Sequence, residues 1–69
     1  MSKSAKWVII ENVKKMRISR KITRENLSLA IGYDNSYISK FEKGKINFSI
    51  EVLEKLAEVF EIPMYELFK

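Results

Sequence analysis

Between Thr23 and Asn47 the chain concentrates side chains that bind rather than react: Thr23, Arg24, Asn35, Ser36, Ser39, Lys40, Lys43, Lys45 and Asn47. Hydroxyl, carboxamide, ammonium and guanidinium groups exchange hydrogen bonds, and the cations attract anions. The groups that would make such a stretch catalytic are missing. Cysteine and histidine are absent, aspartate occurs only at Asp34, and the two glycines, Gly32 and Gly44, leave no glycine-rich phosphate loop. That removes thiolate and imidazole metal sites, Ser-His-Asp and Cys-His pairs, and an imidazole base. The chain is expected to be no enzyme and to use no metal or cofactor.

Charge is divided along the sequence. Residues 1–48 carry eleven basic and four acidic side chains (+7), and residues 49–69 carry two basic and five acidic ones (−3). A basic lobe beside an acidic one suits a binder of nucleic acid or of an anionic membrane. No apolar run exceeds four residues, Trp7–Ile10 being one, so no membrane span is expected. The same run is too short for a signal-peptide core, although Lys3 and Lys6 precede it, and a cytoplasmic location is the simplest expectation. Sixty-nine residues suggest a single domain, 1–69, with no disulfide to reinforce a small core.

These side chains must be positioned by helices. Ile9, Val13 and Met16 share one helical face, which predicts a first helix over about 5–19. Thr23 is a good N-cap for a second, short helix over 24–31, ended by Gly32. Asp34 offers the N-cap of a third, over 35–43, with Ile38 and Phe41 inward and Gly44 as its stop. Ser49 caps a fourth, on which Ile50, Leu53, Leu56, Ala57 and Phe60 form the apolar stripe. Pro63 suits the first turn of a last helix ending at Phe68. The expectation is a compact all-α fold of five helices.

Two short helices joined by a turn at Gly32 make a helix-turn-helix arrangement, whose second helix enters the major groove of DNA. Arg17, Thr23, Leu27, Gly32, Ser36-Tyr37-Ile38-Ser39, Glu42, Gly44, Asn47, Ser49, Leu53 and Leu67 fall in one ungapped pattern. In it the chain resembles the Cro/C1-type (Xre-like) helix-turn-helix family of bacterial and phage repressors, from Ile9 to Phe68. The resemblance implies a lambda-repressor-like domain with its helix-turn-helix at about 23–43. The short length and the Tyr-Ile-Ser sequence look most like restriction–modification controller proteins, with stand-alone phage or mobile-element repressors close beside them. Three positions depart from the pattern. Arg24 stands where glutamine is usual, Ser28 where a small alanine is frequent, and Ile46 where many controllers have a basic residue.

The resemblance implies base reading at Asn35, Ser36 and Lys40, with Ser39 on the same outer face. Asn suits adenine, Lys suits guanine, and Ser suits either, each good bidentate contact discriminating by about 1–3 kcal/mol. Tyr37 has two readings, a contact along the groove wall or partial burial against the second helix. Arg24, Lys43, Lys45 and Asn47 form the expected phosphate clamp, joined by Thr23 and the amides that begin the second helix. The family pattern also pairs Arg17 with Glu42, a planar guanidinium on a carboxylate that ties the reading helix to the scaffold.

One module reads few base pairs, and helix-turn-helix proteins usually pair, with reading helices about 34 Å apart on the DNA. Once the family core takes Ile50, Leu53, Leu56, Phe60, Ile62 and Leu67, the apolar residues Val52, Val59, Met64, Tyr65 and Phe68 remain for a dimer surface within about 49–69. Met64 and Phe68 suit closure of the core equally well, Trp7 and Ile10 suit core or dimer, and Leu29 is an unexplained apolar residue. The expected function is transcription regulation by a homodimer on near-palindromic double-stranded DNA, with RNA polymerase as a further contact. The alternative is a protein-interaction module, an antitoxin or adaptor gripping its partner through Tyr37, Phe48, Tyr65 and Phe68. The small polar residues of the third helix suit a phosphate-lined groove better.

Overall fold

Hydroxyl side chains start three of the helices. Ser4 Oγ accepts from the Trp7 amide (3.4 Å), Thr23 Oγ1 from Asn26 (3.0 Å) and Ser49 Oγ from Val52 (3.3 Å), each satisfying one of the amides that a helix leaves unpaired at its start. The computed structural model describes residues 4–69, so Lys3 and the first residues of the expected domain lie outside the described residues. Its elements are α1 (Ala5–Ser19), α2 (Arg24–Ala30), α3 (Tyr37–Glu42), α4 (Ile50–Phe60) and a 3-10 helix (Met64–Phe68). No strand occurs among the described residues. None of the helices is long and apolar enough to cross a membrane.

All four α-helices stop in the same way. A residue just past the helix turns to positive φ: Lys21 (57°), Gly32 (87°), Gly44 (72°) and Glu61 (57°). Its N–H donates three residues back, to Ile18, Leu29, Phe41 and Glu58, and the following N–H donates five back, to Arg17, Ser28, Lys40 and Ala57. This double bond pattern is the Schellman motif, which needs a left-handed residue. Glycine supplies it without strain at two ends, while Lys21 and Glu61 adopt it at a cost of roughly 1–2 kcal/mol each.

Two expected boundaries are corrected. The fifth helix is a short 3-10 helix, with Glu66 N–H bonding back to the Pro63 carbonyl at i−3 (3.0 Å), and Pro63 is its extended N-cap rather than part of its first turn. The third helix begins at Tyr37 rather than 35. Asp34 Oδ1 accepts from both the Ser36 amide (2.9 Å) and the Ser36 hydroxyl (2.6 Å), and Tyr37 N–H bonds the Asp34 carbonyl (3.2 Å). Asp34 thus folds residues 34–37 into a turn that leads into α3.

The core joins Ile9, Ile10 and Val13 of α1 to Leu27, Ile31, Ile38 and Phe41 of the central helices. It is completed by Val52, Leu53, Leu56, Ala57 and Phe60 of α4 and by Leu67. Two polar ties close it at the bottom. Asn12 Nδ2 donates to the Leu67 carbonyl (2.9 Å), and Arg20 Nη2 donates to the Phe60 carbonyl (3.0 Å) with its guanidinium over the Phe60 ring. The α4 stripe differs from expectation at its start. Val52 is 1% exposed and belongs to the core, whereas Ile50 is 62% exposed. Ile50 is the first helical residue after the Ser49 cap and projects clear of the bundle, while Val52 lies one residue before Leu53 on the buried face. Val52 is therefore withdrawn from the expected dimer surface. Val52→Ala should cost about 2 kcal/mol in a denaturant melt of dilute protein, and Ile50→Ala should stay within about 0.5 kcal/mol; comparable losses would contradict this placement.

Candidate nucleic-acid interface

Helix α3 has its apolar face on the core through Ile38 and Phe41, both fully buried. Ser36, Ser39, Lys40 and Lys43 fall at i, i+3, i+4 and i+7, which places them together on the opposite face. Lys40, Lys43, Lys45 and Asn47 are exposed, Ser36 and Ser39 half-buried, and Asn35 is exposed in the turn before the helix. The Ser36 hydroxyl has its proton on Asp34, so its free capacity is as an acceptor. Tyr37 sits on the flank of α3. Its ring stacks on Tyr33 (4.0 Å between centroids) and tilts against Phe41 (6.5 Å), and it is half-buried there.

Six residues cannot hold a helix by themselves, and α3 is fastened at both ends. At the C-terminal end Arg17 Nε donates to Glu42 Oε2 (2.7 Å) and Nη2 to Oε1 (3.4 Å), while Nη1 donates to the Ile22 carbonyl (2.9 Å). The side chains of this pair are only 12% and 5% exposed. The guanidinium fork therefore joins the end of α1, the loop before α2 and the end of α3 in one largely dry contact. Arg24 lies 3.9 Å from Glu42 Oε1 but is half exposed. The start of α2 is thus brought beside the end of α3, which gathers Arg24 with Lys43. At the N-terminal end the buried Ser28 of α2 accepts from the Ile38 amide (2.9 Å) and donates to the Arg24 carbonyl (2.8 Å).

Three features escaped the sequence reading. Lys6 Nζ donates to the Gly44 carbonyl (3.2 Å), which adds a cation of α1 to the Lys43–Asn47 segment. Lys6, Asn47 and Phe48 line an open hollow of about 180 Å³ there. A Cβ on Gly44 would lie 2.8 Å from the Trp7 ring, so glycine is needed for close approach as well as for its φ. The contacts of Lys6 and Trp7 with Gly44 leave no local mark, because they join residues more than thirty positions apart. Ser28 does carry a signal, a hydroxyl where alanine is frequent, but its partner, the Ile38 amide, lies ten residues away on another helix.

Two groups at the interface have displaced pKa values. The Ser36 hydroxyl first, and then the Ser36 amide, hold the Asp34 carboxyl below its ordinary 3.8, with a smaller contribution from Lys40. Burial, with Tyr33 beside it, pushes the Tyr37 phenol above its ordinary 10.0.

A profile of helix-turn-helix proteins matches residues 13–67, a span that contains the C-terminal part of α1 from Val13 onward, α2, the turn, α3 and α4. The chain belongs to the Xre-like helix-turn-helix family. No curated protein matches it in sequence. Among solved structures, this family member is similar to the restriction-modification controller protein C.AhdI from Aeromonas hydrophila. The TM-score is 0.83 and the identity 28%, over 91% of this chain and 96% of that one. It is also similar to a hypothetical transcription factor, NHTF, from Neisseria, with a TM-score of 0.89 and 24% identity over 96% of this chain and 76% of that one. At that identity the Neisseria protein speaks for the shared fold.

For this helix-turn-helix protein, Arg17→Ala or Glu42→Ala alone should cost about 3–5 kcal/mol, because each strips a largely buried charge of its bidentate counter-ion and leaves only the Arg24 contact to Glu42 or the Ile22 carbonyl to Arg17. The double variant should lose clearly less than the two single losses together, and additive losses in thermal melts would rule out coupling. A second outcome concerns acid. A carboxyl whose folded pKa is depressed stabilises the turn above its ordinary value, and the effect is lost as pH falls through the lower folded value. The Asp34 carboxyl, followed by NMR, should titrate below 3.8, with the Ser36 amide shift following the same curve. Independent curves would break the link.

Proposed function

We propose that this chain is a sequence-specific regulator of transcription that reads a near-palindromic site on double-stranded DNA as a homodimer. The observation that carries the reading is the outer face of α3. Its small polar groups and lysines stand on a helix clasped at both ends to a scaffold shared with the Xre-like family. Asn35, Ser36, Ser39 and Lys40 are the proposed base readers, with Tyr37 at the groove edge. Thr23, Arg24, Lys43, Lys45 and Asn47 are the proposed phosphate contacts, which set register without conveying sequence. The 28% identity to a restriction-modification controller supports a controller role over that of a phage-type repressor.

Residues 1–69 act in this reading as one domain, with association through about 49–69. Tyr65 and Phe68 are exposed apolar residues there, and Val59 and Met64 are half-buried against the core beside them. The acidic charge of this segment keeps the association surface away from phosphate, and the basic segment faces the DNA. Contact with RNA polymerase and a cytoplasmic site of action belong to the same proposal.

Selection from random duplexes should return a consensus of two symmetric half-sites. Failure to recover one would turn the reading toward a protein-interaction module. With about eight phosphates neutralised per dimer, log affinity should fall with log salt at a slope of about −7. A slope near zero would remove the electrostatic half of the proposal, and a persistent monomer on DNA in sedimentation would remove the dimer.

A further inference from the structure

The amides that open α3 are satisfied in an unusual way. A helix leaves its first N–H groups without intrahelical partners, and a side chain at the N-cap usually accepts one of them. The N-cap of α3, Ser36, makes no such bond, because its hydroxyl is turned to Asp34. Asp34 takes the Ser36 amide and its carbonyl takes the Tyr37 amide. The next amide, Ile38, belongs to a residue with no exposed surface, and its acceptor comes from another helix: Ser28 Oγ, 2.9 Å away. Ser28 is itself fully buried and passes its own proton to the Arg24 carbonyl at 2.8 Å. Only a hydroxyl can accept from one backbone group and donate to another in so small a space. Alanine would fill the volume and leave the Ile38 amide without a partner.

From this we propose that Ser28 is a positioning residue for DNA reading, a cap supplied by α2 to α3 that sets how the reading helix sits relative to the backbone anchors. The inference rests on the DNA-binding reading above. Helix α2 with its N-cap carries Thr23 and Arg24, proposed to hold phosphates, and α3 with the turn before it carries the proposed base readers. The hydrogen-bonded chain Ile38 N–H to Ser28 to Arg24 C=O is a buried polar link between them at the start of α3, apart from the longer and more exposed Arg24–Glu42 contact (3.9 Å) at its end. Phosphate contacts tolerate a small change in the angle of α3 because they are few-atom, long-armed and sequence-independent. Bidentate base contacts require both bonds at once and do not tolerate it.

The test compares wild type with Ser28→Ala well below the melting temperature of both, using the duplex recovered by selection and one random-sequence duplex. Ser28→Ala should lower affinity for the selected duplex about tenfold, the effect of spoiling one bidentate base contact, and change affinity for the random duplex less than about twofold. Amide exchange should rise at Ile38 selectively, with Val13 and Leu56 in the core little changed. An unchanged preference for the selected duplex would overturn the positioning role even if stability falls. Unchanged exchange at Ile38 would overturn the cap itself. If the wild type prefers no duplex, the positioning role falls together with the reading beneath it, while the exchange comparison still reports on the bond. Should Ser28→Ala fail to fold, total synthesis with an ester in place of the Ile38 amide deletes the donor and leaves Ser28 intact. That ester must reproduce the loss of preference, and retained preference overturns the proposal.

Discussion

A helix of six residues has too few internal hydrogen bonds to persist in water, where even helices of about 12–15 residues are marginal. Helix α3 is that short, and the face it presents depends on contacts made from outside it. The Arg17–Glu42 pair is the contact on which the rest hangs. One guanidinium reaches the end of α3, the loop before α2 and, through its own backbone, the end of α1. Desolvation makes this pair costly to break rather than generously stabilising. Losing one partner is therefore the costly change, because it strands a charge that folding has already taken out of water.

The opposite end of α3 is held by smaller groups. Asp34 organises the turn, and Ser28 receives the amide that the turn leaves over. Between these ends Ile38 and Phe41 anchor the helix in the core, and Phe41 packs against Phe48 beyond it (4.7 Å between centroids). Apolar contact fixes which face is buried, because burial follows area and has little directional preference. The hydrogen bonds fix rotation and slide along that face, because they fail outside a narrow range of distance and angle. A surface that must match the edges of bases needs both.

Charge and stability are divided in the same molecule. The basic segment contains the proposed phosphate contacts, and within it Lys6 of α1 is held beside the Lys43–Asn47 stretch by its bond to the Gly44 carbonyl. The acidic segment includes α4 and the 3-10 helix, which are tied to α1 by Asn12 and Arg20 through backbone carbonyls rather than through ion pairs. Glu51, Glu54, Glu58 and Glu61 of that segment are exposed, and with them Tyr65 and Phe68.

Much of this was legible in the chain itself. The hydroxyls at Thr23 and Ser49, the glycines at 32 and 44, and the spacing of Ile9, Val13, Leu27 and Ile31 act through neighbours a few residues away. They place α1, α2 and the start of α4 without reference to the fold. The pairing of Arg17 with Glu42 came from the family pattern, and the geometry of that pair is a matter of tertiary structure. What sequence left undecided has physical causes. Two of the four helix ends are made by Lys21 and Glu61, which carry no signal because packing, not residue preference, imposes their left-handed φ. Ile50 and Val52 are both apolar and both near the helix start, and only the direction in which α4 meets the core decides that Val52 is inside and Ile50 outside. The type of Ser28 does not name its partner, and only the packing of α2 on α3 brings the Ile38 amide 2.9 Å from its hydroxyl. A residue's type and near neighbours determined the elements; which donor meets which acceptor across ten or forty residues was decided only when the core closed and brought them within hydrogen-bonding range.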